Sequence, residues 1–313
     1  MLYIDYKRII KSRKIRLMIL SWLSFVPDKL MLKIQYKIKM GKKLNLNDPK
    51  SFTEKMQWYK LYYKDPAMIQ CVDKYDVRSY IKRKGYGEYL NKCYGVYTQP
   101  NDIDFSKLPN KFVLKDTLGG GGNDIIICLD KTKFNIEESK KIMNRWIASK
   151  KCRNAGREWP YYKGKNHRII IEEYLEDHFS NSGLIDYKFF CFNGKVEFMY
   201  VMSDRSLGNK VSVGLFDREY NRLPYNREGD PPLVRNIPKP ENYEEMINLA
   251  ENLSKDFPHA RIDLYNINKK IIFGEITFYN ASGYMKYEPD DFDLYIGNKF
   301  NLKEWKENKI IDN

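Results

Sequence analysis

The segment Phe112-Val-Leu-Lys115, Asp-Thr-Leu, Gly119-Gly-Gly-Gly122, Asn-Asp124-Ile-Ile-Ile-Cys128 sets two short apolar runs on either side of four consecutive glycines. Each flank has the length and β-branched content of a strand, so the sequence predicts a hairpin with Lys115 on its first strand. A loop without side chains lets several backbone N–H groups approach an anion together, and a nearby lysine supplies countercharge. The same pattern also suits a flexible hairpin tip, because glycine is a common turn residue. Two familiar phosphate loops are excluded by the residues after the glycines. A P-loop needs Gly-Lys-Ser/Thr opening a helix, and the dinucleotide fingerprint also leads into a helix, whereas here Gly122 is succeeded by Asn123, Asp124 and a β-branched run. Strand–loop–strand order points to a lid-like clamp for a polyphosphate, with ATP the first choice.

Working outward, strands are expected at 90–97, 112–115, 124–128 and 168–174, with a helix at 135–149. Tyr187 to Phe192 and Val196 to Met202 flank Asn193-Gly194, a strong hairpin signal. A helix at 242–255 would turn Met246, Leu249, Ala250 and Leu253 inward. Upstream, Ser51-Phe-Thr-Glu54 is a capping-box pattern opening a helix with Phe52, Met56 and Tyr59 on one face. Another helix is expected to start at Asp73, to carry Val77, Tyr80 and Ile81, and to stop at Gly85. Residues 28–40 are ambiguous: Leu32, Ile34, Tyr36, Ile38 and Met40 alternate as in a strand, while Pro27-Asp28 looks like a helix start.

The last hairpin, Ala260 to Tyr265 and Ile271 to Phe278, carries the second half of the chemistry. A turn centred near Lys269 sets Asp263 opposite Glu275 and Arg261 opposite Thr277, with Ile262, Leu264, Ile276 and Phe278 on the other face. Facing carboxylates repel unless a cation lies between them. Mg²⁺, which accompanies nucleotide phosphates, is one such cation; an ion pair of Arg261 with Asp263 or Glu275 is the other reading.

Composition bounds the class. The 313 residues are 42% apolar and 15% aromatic, enough for a folded core, with a formal charge of +14. Residues 1–43 hold twelve Lys or Arg against Asp5 and Asp28, so most of the excess is local. With no nucleic-acid motif on the chain, such a leader suits an anionic membrane surface or an acidic polymer; the other reading is a helical layer packed on the core. Its apolar stretch, Leu17 to Val26, is about half of the roughly 20 residues that a membrane span needs, and it lacks a signal-peptide cleavage pattern. Five separated cysteines without a CxxC, and three histidines without ligand spacing, suggest neither a disulfide framework nor a zinc site. The expected location is cytoplasmic, with peripheral contact at the inner face of the membrane.

Taken in order, Lys115 before a glycine-rich hairpin, Ile169-Ile-Ile-Glu172-Glu173-Tyr174-Leu175, Arg261-Ile-Asp263-Leu and Phe273-Gly-Glu275-Ile-Thr277 resemble the ATP-grasp superfamily. More narrowly, Ser51-Phe-Thr-Glu-Lys-Met-Gln-Trp58, Val72-Asp-Lys-Tyr-Asp-Val-Arg78, Gly156-Arg-Glu-Trp159, Asp186-Tyr-Lys-Phe-Phe-Cys-Phe-Asn-Gly194 and Asp204-Arg205 resemble the TupA-like ATP-grasp family of teichuronopeptide and surface-polysaccharide synthesis, over roughly residues 45–300.

The resemblance implies an α+β ATP-grasp fold: a basic helical leader (1–43), a helical N-terminal region (44–95), a lid subdomain with the glycine loop (96–175) and a C-terminal subdomain with the metal site (176–313). It also implies roles. Lys115 and Lys188 would contact the nucleotide phosphates, and Gly119, Gly120, Gly121 and Gly122 would fold over them. Glu172, Glu173, Tyr174 and Leu175 would form the hinge that reads adenine and ribose, while Asp263 and Glu275 would hold Mg²⁺. Thr277 stands where these enzymes usually place Asn, so the number of ions is open, with Asn280 as a substitute ligand. Arg205 and Arg261 would stabilise transferred charge. The implied activity is an ATP-dependent carboxylate–amine ligase forming an acyl phosphate and then an amide, with a uronic acid and an amine as substrates, and with 156–159 near the acceptor. The competing readings are a glycosyltransferase, for which Asp290-Asp291-Phe292-Asp293 is a weak metal motif, and an ATP-grasp sugar kinase.

Overall fold

The computed structural model describes residues 12–120, 124–149, 155–162, 166–177, 183–203 and 211–302. Gly121, Gly122 and Arg205 lie outside the described residues, as do residues 1–11.

Two sheets organise the molecule. Strands β1 (Cys93–Tyr97), β2 (Phe112–Asp116), β3 (Ile125–Cys128) and β4 (Ile169–Glu173) form an antiparallel sheet in the order β1-β4-β2-β3. Helix Ile136–Ile147 covers one face, placing Met143 and Trp146 in a cluster with Phe112, Leu114, Ile169 and Ile171. Asn135 caps that helix, accepting from the Glu138 N–H at 3.0 Å.

The larger sheet contains β5 (Asp186–Phe192), β6 (Lys195–Ser203), β7 (Ser212–Asp217), β9 (His259–Ile267) and β10 (Lys270–Thr277), in the order β10-β9-β5-β6-β7. A short ladder joins β8 (Asn226–Arg227) to β11 (Tyr287–Glu288). Asn193 and Gly194 both have positive φ, the backbone that a two-residue primed turn requires. Helix Tyr243–Ser254 buries Met246, Leu249, Ala250 and Leu253 beneath the sheet. On the opposite face, Phe52 of helix Phe52–Tyr62 meets Phe190, Phe192 and Phe198. Asp186 and Lys188 share the β5 face of Phe190 and Phe192 by strand alternation, so one end of this face is sealed by aromatics and the other carries charge.

The capping box forms as expected: Ser51 Oγ accepts from the Glu54 N–H at 3.3 Å, and Glu54 Oε2 accepts from the Ser51 N–H at 3.2 Å. Other expectations need correction. The helix expected from Asp73 begins at Val77; Asp73 instead accepts from the Tyr75 and Asp76 N–H groups in a turn, after a helix Pro66–Val72 that is not among the expected elements although Asp65-Pro66 is a cap followed by a first-turn proline. Strand β1 begins at Cys93 rather than 90, and β7 is likewise additional to the expected strands.

The closing hairpin departs from its expected route. Asn268 and Lys269, with φ of 52° and 65°, make a two-residue turn that pairs Ile267 with Lys270, one residue out of step with a turn centred on Lys269. A bulge at Gly274, between Phe273 and Glu275, restores the step, so Asp263 does face Glu275 and Arg261 does face Thr277. A Cβ on Gly274 would stand 3.0 Å from the Asp263 carbonyl oxygen, so the strands approach there as only glycine readily permits.

Residues 28–40 are helical, from Asp28 to Met40, and Met31, Leu32, Gln35 and Tyr36 are buried. This half of the basic leader is therefore a layer of the core. Among the described residues no helix is long and apolar enough to cross a membrane.

Candidate active site

The two sheets line one cleft of about 1470 Å³. From the smaller sheet comes Lys115, whose Nζ donates to Glu172 Oε2 at 2.8 Å. Glu172 is buried near the end of β4 and also pairs with Arg78 Nη1 at 3.4 Å. Arg78 Nη2 donates to the Asn91 carbonyl at 2.7 Å, and Asn91 Nδ2 donates to the Glu173 carbonyl at 2.9 Å. The end of β4 is thus tied to the helical region; Tyr174 follows the strand and Leu175 lines the cleft.

Gly119 and Gly120 line the same cleft. A Cβ on Gly119 would fall 2.7 Å from Asp124 Cβ, so the two arms of the loop come too close there for any larger residue, whereas one on Gly120 would meet nothing within 4 Å. Lys74 Nζ donates to the Gly119 carbonyl. His167 Nδ1 lies 2.6 Å from Asp116 Oδ2 at the base of the loop.

The larger sheet contributes a buried charge network. Lys188 lies opposite Asp263 in the ladder and donates to Asp263 Oδ2, with Asp186 Oδ2 at 3.0 Å. Arg261 grips Asp263 through two bonds of 2.7 Å, reaches Glu275 Oε1 at 2.8 Å and Thr277 Oγ1 at 3.0 Å, and donates to Asn280 Oδ1. The cation relieving the Asp263–Glu275 repulsion is therefore this guanidinium. Burial opposes its charge, but Asp263 foremost and then Glu275 outweigh that and raise its pKa. Burial also pushes the Asp263 carboxyl up, against Arg261 and Lys188. Glu275 goes the other way: burial would raise it, but Arg261, Lys188 and Lys74 together hold it at about 2.

These donors fit a phosphate-borne Mg²⁺ better than a preformed cage. Among the described residues no group of three His, Cys, Asp or Glu side chains clusters as a metal site. Mg²⁺, however, commonly takes one or two carboxylates and completes its shell with phosphate and water oxygens. The Glu275 side chain is 40% exposed and ionised, and Asp263 lies beside it.

Beyond Glu275 the cleft continues to residues with no individual role assigned from the sequence, Glu158 lying in the 156–159 segment expected near the acceptor. Tyr161 lines it, with its pKa raised by burial foremost and by the charges of Glu158 and Glu275. Glu158 accepts from Ser282 Oγ, in a turn where Ala281 and Ser282 both have positive φ. Buried Lys60 fixes that turn, donating to the Ser282 carbonyl at 2.6 Å and the Gly156 carbonyl at 2.9 Å; burial lowers its pKa to about 7. The signal for Lys60 was present, since it follows Met56 by four residues on an otherwise apolar helix face. Glu158 and Ser282 meet across 124 residues of chain and gave no local signal. The Asp290–Asp293 motif lies elsewhere. Asp293 accepts from Thr53 N and Oγ1 at 2.9 and 2.7 Å, and it lines a separate pocket of about 230 Å³ with Asp290.

Among solved structures, the chain is similar to D-alanine–D-alanine ligase from Bacillus anthracis, at 17% identity and a TM-score of 0.41, over 67% of this chain and 57% of that one. It is also similar to an ADP complex of N5-carboxyaminoimidazole ribonucleotide synthetase, at 11% identity and a TM-score of 0.42, over 72% of this chain and 50% of that one. The D-alanine–D-alanine ligase from Helicobacter pylori gives 12% identity and a TM-score of 0.43, over 79% of this chain and 66% of that one. The chain thus spans about half the length of the first two. A search of curated protein sequences gave no match. The profile described as TupA-like ATPgrasp matches residues 54–301, which takes in both sheets, most of the cleft lining and most of helix Phe52–Tyr62. The chain is an α+β protein belonging to the TupA-like ATP-grasp family.

Proposed function

We propose that this protein is an ATP-dependent carboxylate–amine ligase that joins an amine, such as an amino acid, to a uronic acid of a surface polysaccharide or its precursor. The observation that carries the reading is the meeting, in one cleft, of a lysine-flanked glycine loop and a guanidinium-bridged pair of carboxylates on facing strands. Family membership supports it.

In this reading 96–175 and 176–313 are the two subdomains that grip ATP. Lys115 exchanges Glu172 for phosphate oxygens, and the N–H groups of the 119–122 loop close over them. Lys188 serves the phosphates from the other side. Glu172 to Leu175 receive adenine and ribose. Asp263 and Glu275, with Thr277 or Asn280 as neutral donors, hold Mg²⁺, which when bound neutralises phosphate charge. Arg261 keeps the carboxylates ionised and steadies charge on the transferred phosphoryl group, with Arg205 as a second candidate. A carboxylate is a poor electrophile until it becomes an acyl phosphate. Phosphoryl transfer to it, then attack by the amine with loss of phosphate, needs positioning and exclusion of water more than a protein nucleophile. Glu158 and Ser282 mark the acceptor end, where the carboxylate can hold an ammonium and take its proton.

The test is ADP release with Mg²⁺-ATP, glucuronate or galacturonate, and mixed amino acids. A ligase requires both acceptors, a sugar kinase releases ADP with the sugar alone, and a glycosyltransferase releases none. The glycosyltransferase reading loses its sequence support, because Asp293 is engaged with Thr53 away from the cleft.

A further inference from the structure

We infer that the leader is a docking surface for an anionic lipid bilayer, formed by apolar side chains that point away from the core. The inference is independent of the ligase reading. Helix Asp28–Met40 has two apolar stripes. Met31, Leu32 and Tyr36 pack inward, while Leu30, Ile34 and Ile38, spaced by four residues, are 52%, 43% and 42% exposed. Lys29, Lys33 and Lys37 follow the same spacing one residue earlier, so a cationic row runs beside the apolar one. Helix Arg13–Trp22 adds a second exposed apolar stripe, without the neighbouring lysine row: Ile15, Met18 and Trp22 lie on one face and are exposed. Phe25, in the turn between the helices, is 81% exposed, and Trp22 is 71% exposed.

Soluble proteins carry single exposed apolar residues routinely, but not two helical stripes joined by a pair of exposed aromatics. The charge selects the occupant. Residues 12–43 hold nine Lys or Arg and one acid, Asp28, and the Asp28 carboxylate is engaged by Arg157 Nη1 at 2.7 Å. Apolar and aromatic groups beside a row of lysines are what a bilayer interface with anionic headgroups accepts.

The turn between the two helices is tied to the body. Arg157, buried and left-handed at φ 53°, donates to the carbonyls of Leu23, Ser24 and Val26 at 2.7, 3.3 and 3.0 Å, besides Asp28. Its neighbour Glu158 stands in the cleft wall, and Lys39, at the end of the same leader helix, lies 3.9 Å from the Tyr284 ring and lines the cleft. Docking would therefore fix how the cleft faces the membrane.

Co-sedimentation of the full chain with vesicles of phosphatidylcholine alone, or with added phosphatidylglycerol, tests this. The expected result is pelleting with the anionic vesicles only, lost at about 1 M salt as the Debye length shortens to roughly 3 Å. The double variant Trp22→Ser/Phe25→Ser should lower partitioning about a hundredfold, since burying each ring is worth about tenfold. Lys29→Glu/Lys33→Glu, which changes charge at exposed positions only, should abolish it. The proposal is overturned if wild type binds neutral vesicles equally, if neither variant changes binding while both keep the wild-type melting temperature, or if wild type sediments as a dimer that Trp22→Ser/Phe25→Ser dissociates. The last result would assign the surface to a second copy of the chain.

Discussion

The two sheets each offer a lysine to the same cleft, under different constraints. Lys115, on the small sheet beside the glycine loop, has a side chain 28% exposed and paired with one carboxylate, Glu172, which keeps Arg78 as a second partner. Lys188, on the large sheet, is 10% exposed and lies between Asp186 and Asp263, the latter also gripped twice by Arg261. A phosphate can take Lys115 from Glu172 without leaving a charge stranded, whereas removing any member of the second set leaves a buried charge without its complement. The small sheet is thus suited to exchange partners and the large one to hold a fixed field.

The sharpest way to break this contrast is Arg261→Met. Loss of the guanidinium leaves Asp263 and Glu275 facing each other, and we expect about 3–5 kcal/mol of destabilisation in urea unfolding. A loss below about 1 kcal/mol would mean that the network is not a fixed element. Next in size, Glu275→Gln should cost less stability than Arg261→Met, because Asp263 remains on the guanidinium and the Glu275 side chain is 40% exposed, but it should lower ADP release by about 10²–10³-fold, with Mg²⁺-dependent ATP binding weakened more than metal-free binding. Equal weakening with and without Mg²⁺ would return Glu275 to a purely structural ion pair.

On the other sheet, Lys115→Ala should preserve the melting temperature and weaken ATP binding by about 1.5–3 kcal/mol in calorimetry. Unchanged affinity in a folded variant would remove Lys115 from the phosphate site and with it the contrast between the lysines. The effect that is smallest at neutral pH, and that grows only in acid, concerns His259, in the apolar half of the large sheet. Burial lowers its pKa from 6.5 to about 3, so the unfolded chain binds a proton that the folded chain does not. Stability should therefore fall as pH drops from 6.5 toward 3, by about 1.4 kcal/mol per pH unit from this group. His259→Phe should flatten the urea midpoint over that interval; an unchanged slope would assign the acid sensitivity to other groups.

Much of the site's frame was legible because it is encoded locally. Four glycines between β-branched runs, Asn193-Gly194 and Ser51-Phe-Thr-Glu54 each impose a backbone need on a few consecutive residues. Register in the last hairpin was harder. The correct pairs arise from a turn and a bulge whose offsets compensate, and the trace in the sequence is a change of parity: Ile271 and Phe273 are core on odd numbers, Ile276 and Phe278 on even ones, with Gly274 between them. Residues 28–40 defeated periodicity for a different reason. A helix with one inward and one outward apolar stripe spaces its apolar residues two apart and so mimics a strand. The far end of the cleft, where Lys60, Glu158 and Ser282 converge, depends on contacts between distant segments; the family resemblance points to 156–159 without roles, and the inward lysine is the other clue.

The Arg157 clamp carries a consequence for synthesis. Its partners Leu23 to Asp28 lie 129 to 134 residues earlier in the chain. At about 5–20 residues per second, the leader waits for roughly six to twenty-seven seconds after it is made before the side chain that secures it exists. During that interval the turn between the two leader helices lacks the guanidinium that ties it to the body. The leader's apolar and cationic side chains are then available to whatever surface lies nearby, so capture of the nascent chain could precede completion of the cleft.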